Sequence, residues 1–327
     1  MKLLEEAQKT EVQFAVLFAT LVLYLIVKNV DPGFGVVLGI FIAIEIFVMV
    51  GLEIRSGAHE YGWKHEVIDT IVALVIAVAI WISASVMLNT SSPISGVVSC
   101  SMLPNLYRGD FVIIQGAPVD AYTIEMSEQE LAALQSHEVT IHTQNGTNAS
   151  VSGSAYSYCM YHRYEDVCKT FISEPEQVEE IAGPFTYRYA ECQIDYPDNV
   201  RSFGPCLRAI EFEGREYLTN YSNSVIVYKS DPGTLYANVG DIVHRVFFRI
   251  NVGNETYYVT RGDNNPILDI QVYDYFHNMG NAPIPERNVK GKVLFRIPIL
   301  GYFKLFIAGF YEEDSQCKTQ LLYDNVK

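Results

Sequence analysis

Three short segments of this 327-residue chain hold residue types that can carry out acyl transfer. The first, Val97 to Asp110, reads V-V-S-C-S-M-L-P-N-L-Y-R-G-D and sets Ser101 where a turn begins. Pro104 fixes φ there, and Gly109-Asp110 can close the next reversal. The second, Val239-Gly-Asp-Ile-Val-His-Arg-Val246, puts His244 inside a β-branched run, so a strand rather than a loop holds the imidazole. The third, Thr260-Arg-Gly-Asp-Asn-Asn-Pro-Ile-Leu-Asp269, places Asp263 and Asp269 in a turn after another strand. A serine hydroxyl is a weak nucleophile until a base takes its proton. A histidine, whose free imidazole titrates near pH ~6.5, is suited to that task, and a carboxylate can orient it. Each segment alone has a plainer reading, as a polar turn, a core histidine, and a polar loop or weak cation site. Arg-Gly-Asp also invites an adhesion reading, but the Asn-Asn-Pro that follows marks a constrained turn. Together the three supply a nucleophile, a base and an orienting carboxylate.

The elements that must position these residues fall into two parts. Three apolar runs come first, at about 12–27, 34–52 and 67–88. Each approaches the ~20 residues that cross a bilayer, so residues 1–90 read as an anchor of three transmembrane helices. A turn at Asn29–Gly33 and a polar loop at Glu53–Glu66 separate them. Glu5 and Glu6 precede the first run and no small-residue cleavage site follows it, which argues against a cleaved leader. With the amino terminus inside, Lys2, Lys9, Arg55 and Lys64 face the cytoplasm against Lys28 alone outside. That bias puts everything after Leu88 on the extracytoplasmic side. Glu45 lies midway along the second run and is expected to face the other helices, as a packing contact rather than an ion path.

Beyond Leu88 the pattern becomes mainly β. Period-2 and β-branched segments occur at Phe111–Gln115, Val225–Lys229, Asp241–Ile250, Glu255–Arg261 and Lys292–Ile299, with one helical stretch at Ser127–Ser136. Five Asn-x-Ser/Thr sequons, at Asn89, Asn145, Asn148, Asn220 and Asn254, all follow the third run, as glycosylation on an exterior domain requires. Cys159, Cys168, Cys192 and Cys206 read as two disulfides, with Cys159–Cys168 and Cys192–Cys206 preferred; zinc is the alternative, but no C-x-x-C knuckle is present. Cys100 reads as a small apolar filler, and Cys317 has no obvious partner. The net charge of −15 leaves no basic stripe to neutralise phosphates, which argues against nucleic acid.

S-x-S-M-x-P with G-D, then G-D-I-V-H-R-V, then R-G-D-N-N-P-x-x-D, closely resembles the type I signal peptidases of archaea and of the endoplasmic reticulum. Bacterial relatives use lysine as the base, and histidine stands at the matching place here. Val289 to Gly301 also looks like that family's closing strand. The likeness covers about 97–115 and 238–304. It implies a signal-peptidase-like β fold with Ser101 as nucleophile, His244 as base, Asp269 orienting His244, and Asp263 in support. Ser99 matches a position whose hydroxyl joins the Ser101 N–H in holding the oxyanion, while Met102 and Pro104 shape the turn. Neither metal nor organic cofactor is implied. The implied partners are secretory preproteins carrying signal peptides, the lipid bilayer, and the protein translocation channel. The implied location is the cell membrane, multi-pass, with the serine close to the bilayer because only about a dozen residues separate it from the third run.

Two departures stand out. Cys100 replaces a common glycine, and roughly 116–237 intervenes where relatives keep a short connection. The expected organisation is an anchor (1–90), a catalytic β domain (91–115 and 238–310), an inserted disulfide-bearing exterior subdomain (116–237) and a tail (311–327). A three-span anchor with a large exterior domain favours an archaeal source. Leu294–Phe310 contains Arg296 and Lys304 and so reads as a strand or interfacial patch, not a fourth span. Competing readings are a Ser–Lys dyad using Lys229, a specialised processor of surface or pilin-like proteins, and a non-catalytic glycosylated surface receptor.

Overall fold

The computed structural model describes residues 10–27, 32–307 and 315–322. The expectations placed on Glu5 and Glu6, on the turn around Asn29, and on most of the tail lie outside the described residues. Two compact units divide the chain: residues 1–87 with 303–313, and residues 88–302 with 314–327.

The first unit is helical: α1 (Thr10–Val27), α2 (Pro32–Glu60) and α3 (Trp63–Met87). Two stretches, Val37–Glu60 and Trp63–Met87, are long and apolar enough to cross a membrane, while the apolar part of α1, Glu11–Tyr24, is shorter. No residue of α3 is buried, so its all-round apolar surface is largely exposed. The expected polar loop at Glu53–Glu66 is mostly helix. Hydropathy fell there but helix propensity did not, and the reversal waits for Tyr61-Gly62, where Gly62 takes φ +84°. Glu45 does face a neighbouring helix, accepting a bond from Thr20 Oγ1 at 3.2 Å.

The second unit is mainly β. In chain order its strands are β1 (Ile94–Gly96), β2 (Phe111–Gln115), β3 (Tyr122–Glu125), β4 (Glu138–Thr143), β5 (Asn148–Ser152), β6 (Val178–Ala182), β7 (Phe185–Asp195), β8 (Arg201–Phe212) and β9 (Arg215–Leu218). They continue with β10 (Val225–Lys229), β11 (Asp241–Val252), β12 (Glu255–Arg261), β13 (Tyr273–Asp274), β14 (Met279–Gly280), β15 (Ile284–Pro285), β16 (Val289–Ile297) and β17 (Gln320–Leu322). The short helices are α4 (Glu128–Gln135), α5 (Ala155–Tyr161), α6 (Asp166–Ser173) and α7 (Gly301–Ile307), the last straddling the boundary between the units. Helix α4 forms where the Glu/Leu/Ala pattern predicts it, and Ser127 and Glu130 close a capping box at its start.

One sheet runs β1-β2-β16-β10-β11-β12-β15, antiparallel throughout, with β3 added parallel to β11. A second runs β5-β4-β6-β7-β8-β9, with β17 on β7. The expected insert therefore begins and ends differently. β3 and β10 both fall inside 116–237, yet both belong to the first sheet, with β10 between β16 and β11. Nor does the remainder keep a core of its own. Phe247, Phe248, Ile250 and Val259 of the first sheet share one buried cluster with Ile141, Phe185, Tyr187 and Leu207 of the second. Burial of such large side chains at ~1.5–3 kcal/mol each makes this shared layer the main bond between the sheets.

The Leu294–Phe310 patch divides into the end of β16 and α7, Gly301–Ile307; residues 308–310 lie outside the described residues. Both preferred disulfides, Cys159–Cys168 and Cys192–Cys206, are formed. The reading of the other two cysteines is corrected: Cys100 is bonded to Cys317. Cys100 is buried as a filler would be, but the carboxy-terminal segment folds back to pair with β7, which brings Cys317 to it. Of the sequon asparagines, Asn89, Asn145, Asn148 and Asn254 are exposed and Asn220 is half-buried.

Candidate active site

The serine turn is anchored by apolar side chains on either side of its hydroxyls. Val97, Met102 and Leu106 are buried against Val112, Ile114, Val227 and Val243. Polar ties then fix its backbone. Asn264 N–H donates to the Ser101 carbonyl at 2.7 Å, and its side-chain amide donates to the Cys100 carbonyl at 3.2 Å. Gly262 passes so close that a Cβ there would lie 2.6 Å from the Ser101 carbonyl oxygen. Only glycine permits that approach.

His244 stands in β11 opposite Ile226 of β10, and its ring is 5% exposed as a residue. Its Nε2 lies 2.9 Å from Ser101 Oγ, and its Nδ1 lies 2.7 Å from Asp269 Oδ2. The residues expected to act together are thus in one hydrogen-bonded line, although 143 residues separate Ser101 from His244. Ser99 Oγ sits 3.0 Å from Ser101 Oγ.

Asp269 is held across three adjacent strands. Besides His244 from β11, its Oδ2 accepts from Tyr228 of β10 at 3.0 Å and from Thr260 of β12 at 2.5 Å. Burial, with the Asp269 charge behind it, pushes the Tyr228 phenol well up, so it stays a donor. Asn281 fixes the Asp269 carbonyl at 3.0 Å. Neither Tyr228 nor Thr260 was singled out from sequence. Both lie in recognisable strands, but only the register shows that they flank His244.

Asp263 does something else. Side chains of His244 and Arg245 leave opposite faces of β11. Asp263 grips Arg245 in a two-pronged pair, Nε to Oδ1 at 2.8 Å and Nη2 to Oδ2 at 2.8 Å, and also accepts from Asn105 at 2.7 Å. It thereby ties the serine turn to β11 without touching the imidazole. Lys229 is exposed at the far end of the β10–β11 pair, opposite Asp241, and is not brought to Ser101. Among the described residues no cluster of His, Cys, Asp and Glu has the makings of a metal site.

The Asn264 side chain reaches past the serine turn to the carboxy-terminal segment, donating to Thr319 O at 2.9 Å and accepting from Leu321 N at 2.7 Å. With Cys100–Cys317, this makes residues 315–322 the floor of the turn. Sequence could have hinted at it, since pairing four of the six cysteines leaves Cys100 and Cys317 as the two remaining thiols.

No family model matches the chain. A protein of Methanocaldococcus jannaschii described as uncharacterized is 23% identical over 221 residues, covering 67% of this chain and 86% of that one. The chain is thus similar to an archaeal protein whose name assigns no activity.

Proposed function

We propose that this chain is a membrane-bound serine endopeptidase that removes N-terminal signal peptides from secretory preproteins, cutting after small residues at the extracytoplasmic surface. The observation that carries the reading is the Ser101–His244–Asp269 line, with its 2.9 and 2.7 Å links buried in one site. Asp269 accepts from Nδ1–H, which leaves Nε2 free to accept the Ser101 proton. Ser101 Oγ then attacks the scissile carbonyl. In this reading the Ser101 N–H and the Ser99 hydroxyl receive the oxyanion, a contribution whose loss typically costs about 10²–10³ in rate. His244 passes its proton to the leaving amine, and water, activated by the same imidazole, releases the acyl-enzyme. The substrate binds as an extended strand on a sheet edge, the edge nearest in sequence being β1, a few residues before Ser99.

The apolar helices of the first unit support a membrane location, and the three-span, amino-terminus-inside topology completes it. Exposed sequons and three disulfides fit an oxidising exterior. The test is cleavage of a secretory precursor by detergent-solubilised protein, wild type beside Ser101→Ala and His244→Ala. Each substitution is expected to lower kcat by about 10⁴–10⁶, and the double variant to be no worse than either alone. Activity retained by His244→Ala overturns the mechanism. A wild-type protein that labels with a fluorophosphonate but leaves every precursor intact overturns the substrate.

A further inference from the structure

The second sheet sends a buried polar cluster to the turn that carries Asp269. Asp269–Gln271 is a single 3₁₀ turn. The Gln271 carbonyl accepts from Ser154 Oγ at 2.7 Å and from Ser157 Oγ at 2.9 Å, both at the start of α5. The Gln271 side chain donates to Tyr189 of β7 at 2.8 Å and to Glu180 of β6 at 3.4 Å, while its Oε1 accepts from Leu268 N at 3.0 Å. Glu180 also accepts from Tyr189 OH and, at 2.8 Å, from Ala155 N. Ser154 and Glu180 are completely buried, and Gln271, Tyr189 and Ser157 nearly so.

The proton order in this cluster is forced. An ionised Glu180 has no proton to give, so the Tyr189 hydroxyl must point at it. The tyrosine oxygen is then open to the Gln271 side-chain NH₂, and Gln271 Oε1 is turned to Leu268 N–H. Every donor finds an acceptor, and the last link fixes the residue that immediately precedes Asp269. A network satisfied throughout in this way is rigid; one with a single reversed member leaves a buried donor facing a donor.

We infer that Glu180, acting through Tyr189 and Gln271, is a positioning residue that sets the Asp269 carboxylate for His244, so that the inserted sheet is part of the catalytic machinery. This rests on the reading of Ser101, His244 and Asp269 as a triad. Replacing Glu180 by glutamine turns one carboxylate oxygen into an NH₂ group facing donors. Displacements of the order of an ångström at a reacting group cost about 10²-fold in rate.

The surroundings of Glu180 also give a distinctive readout. Burial raises its carboxyl to about 7. The tyrosines that share its electrostatic environment, Tyr187, Tyr189 and Tyr275, are all pushed up and stay neutral. His137, whose imidazole burial pulls down, and Glu138 line a small cavity beside Tyr187 and Gln271. Of Glu180 and these three tyrosines, Glu180 is therefore the one that changes charge near neutrality.

The experiment uses full-length detergent-solubilised protein: wild type, Glu180→Gln, and Tyr189→Phe, which keeps the ring packed on Phe171 while deleting the hydroxyl. Three quantities are read: the fluorophosphonate-labelled fraction, kcat and KM on a precursor peptide across pH, and the far-downfield Nδ1–H proton resonance of His244. Both variants are expected to label to the wild-type extent. Their kcat should be about 10–100-fold lower with KM within twofold, and the resonance should be shifted. The wild type should also lose kcat as pH falls through about 7 in a step that Glu180→Gln lacks. Loss of rate matched entirely by loss of labelled fraction, or an unshifted resonance in both variants, overturns the inference. If wild type cuts no precursor but labels, the labelling rate replaces kcat. If it does neither, the triad reading falls, and the resonance alone decides whether Glu180 positions Asp269.

Discussion

Asp263 and Asp269 should fail in different ways when neutralised, although both are almost fully buried and stand six residues apart. Asp263→Asn removes the counter-ion of Arg245, a side chain only 12% exposed and otherwise bonded to the carbonyls of Tyr221 and Asn223. Breaking one side of such a buried pair typically costs about 3–5 kcal/mol, because a charge is left without compensation. For a unit of this size each kcal/mol moves the midpoint by roughly 2–4 °C, so the melting temperature should fall by about 6–20 °C. The molecules that remain folded keep His244, Asp269 and Ser101 in line, and their kcat should stay within about tenfold of wild type. Asp269→Asn has the opposite signature. Its amide presents a donor to Nδ1, the imidazole takes the other tautomer, and Nε2 then carries a proton toward Ser101 instead of accepting one. The expected fall in kcat is about 10⁴. Tyr228 and Thr260 donate to the same Oδ2 that meets Nδ1, so their hydroxyls must turn to accept from the amide, and the loss of stability should be about 1–3 kcal/mol.

The assay is precursor cleavage per folded molecule, with thermal midpoints measured on the same samples. Arg245→Met combined with Asp263→Leu removes both charges together and should recover most of the stability lost by Asp263→Asn alone. If Asp263→Asn melts like wild type yet loses as much kcat as Asp269→Asn, Asp263 belongs to the proton path and the division of labour drawn from the geometry is wrong.

Three other outcomes follow from single distances or pairings. Gly262→Ala pushes a methyl against the Ser101 carbonyl oxygen, 2.6 Å away, and should lower kcat about 10²-fold at a stability cost of about 1–3 kcal/mol; wild-type kinetics in that variant would show the turn to be compliant. Cys100–Cys317 closes a separation of 217 residues against 9 for Cys159–Cys168, so chain entropy gives about 5 kcal/mol for the first and about 2.6 for the second. Denaturation of the two pairwise Cys→Ala variants should rank them in that order, and the reverse ranking would mean that the carboxy-terminal segment is held by its hydrogen bonds instead. Glu180, raised from 4.5 to about 7, favours the folded state below pH 4.5 and loses that contribution as pH rises through 7; the difference of roughly 2.5 units is about 3 kcal/mol. Stability of wild type relative to Glu180→Gln should therefore decline by that amount between pH 4.5 and 7.5, and a flat difference would place Glu180 in a wetter site.

What the sequence made legible was local. Phe111–Gln115, Val225–Lys229 and Glu255–Arg261 are strands at the residues where β-branched alternation ends in Gly, Asn or Asp. Cys159–Cys168 and Cys192–Cys206 are local as well, each closing a short loop or hairpin. The second helix ran past its apolar stretch because hydropathy reports how much of a helix suits a bilayer, not where the helix stops; Gly62 does that.

The misread features share one cause, which is pairing at long range. β3 joins the first sheet by lying parallel to β11, more than a hundred residues later, and nothing within Tyr122–Glu125 announces that partner. β17 is three residues long, too short to carry a period, yet it docks the tail on β7 and brings Cys317 to Cys100. Tyr228 reads as an ordinary strand residue until the register sets it beside the carboxylate that three strands share. In each case the missing information is the same: which segments lie next to the serine turn and the Asp269 turn. The boundary drawn at 116–237 followed chain order, whereas the buried contacts follow proximity. On that criterion the second sheet is not a module added beside a finished site. Its core is continuous with the first sheet, and its polar cluster ends on Gln271, two residues from Asp269. A chain that needs Asp269 held within tenths of an ångström would be under pressure to keep that sheet, whatever else its outer surface does.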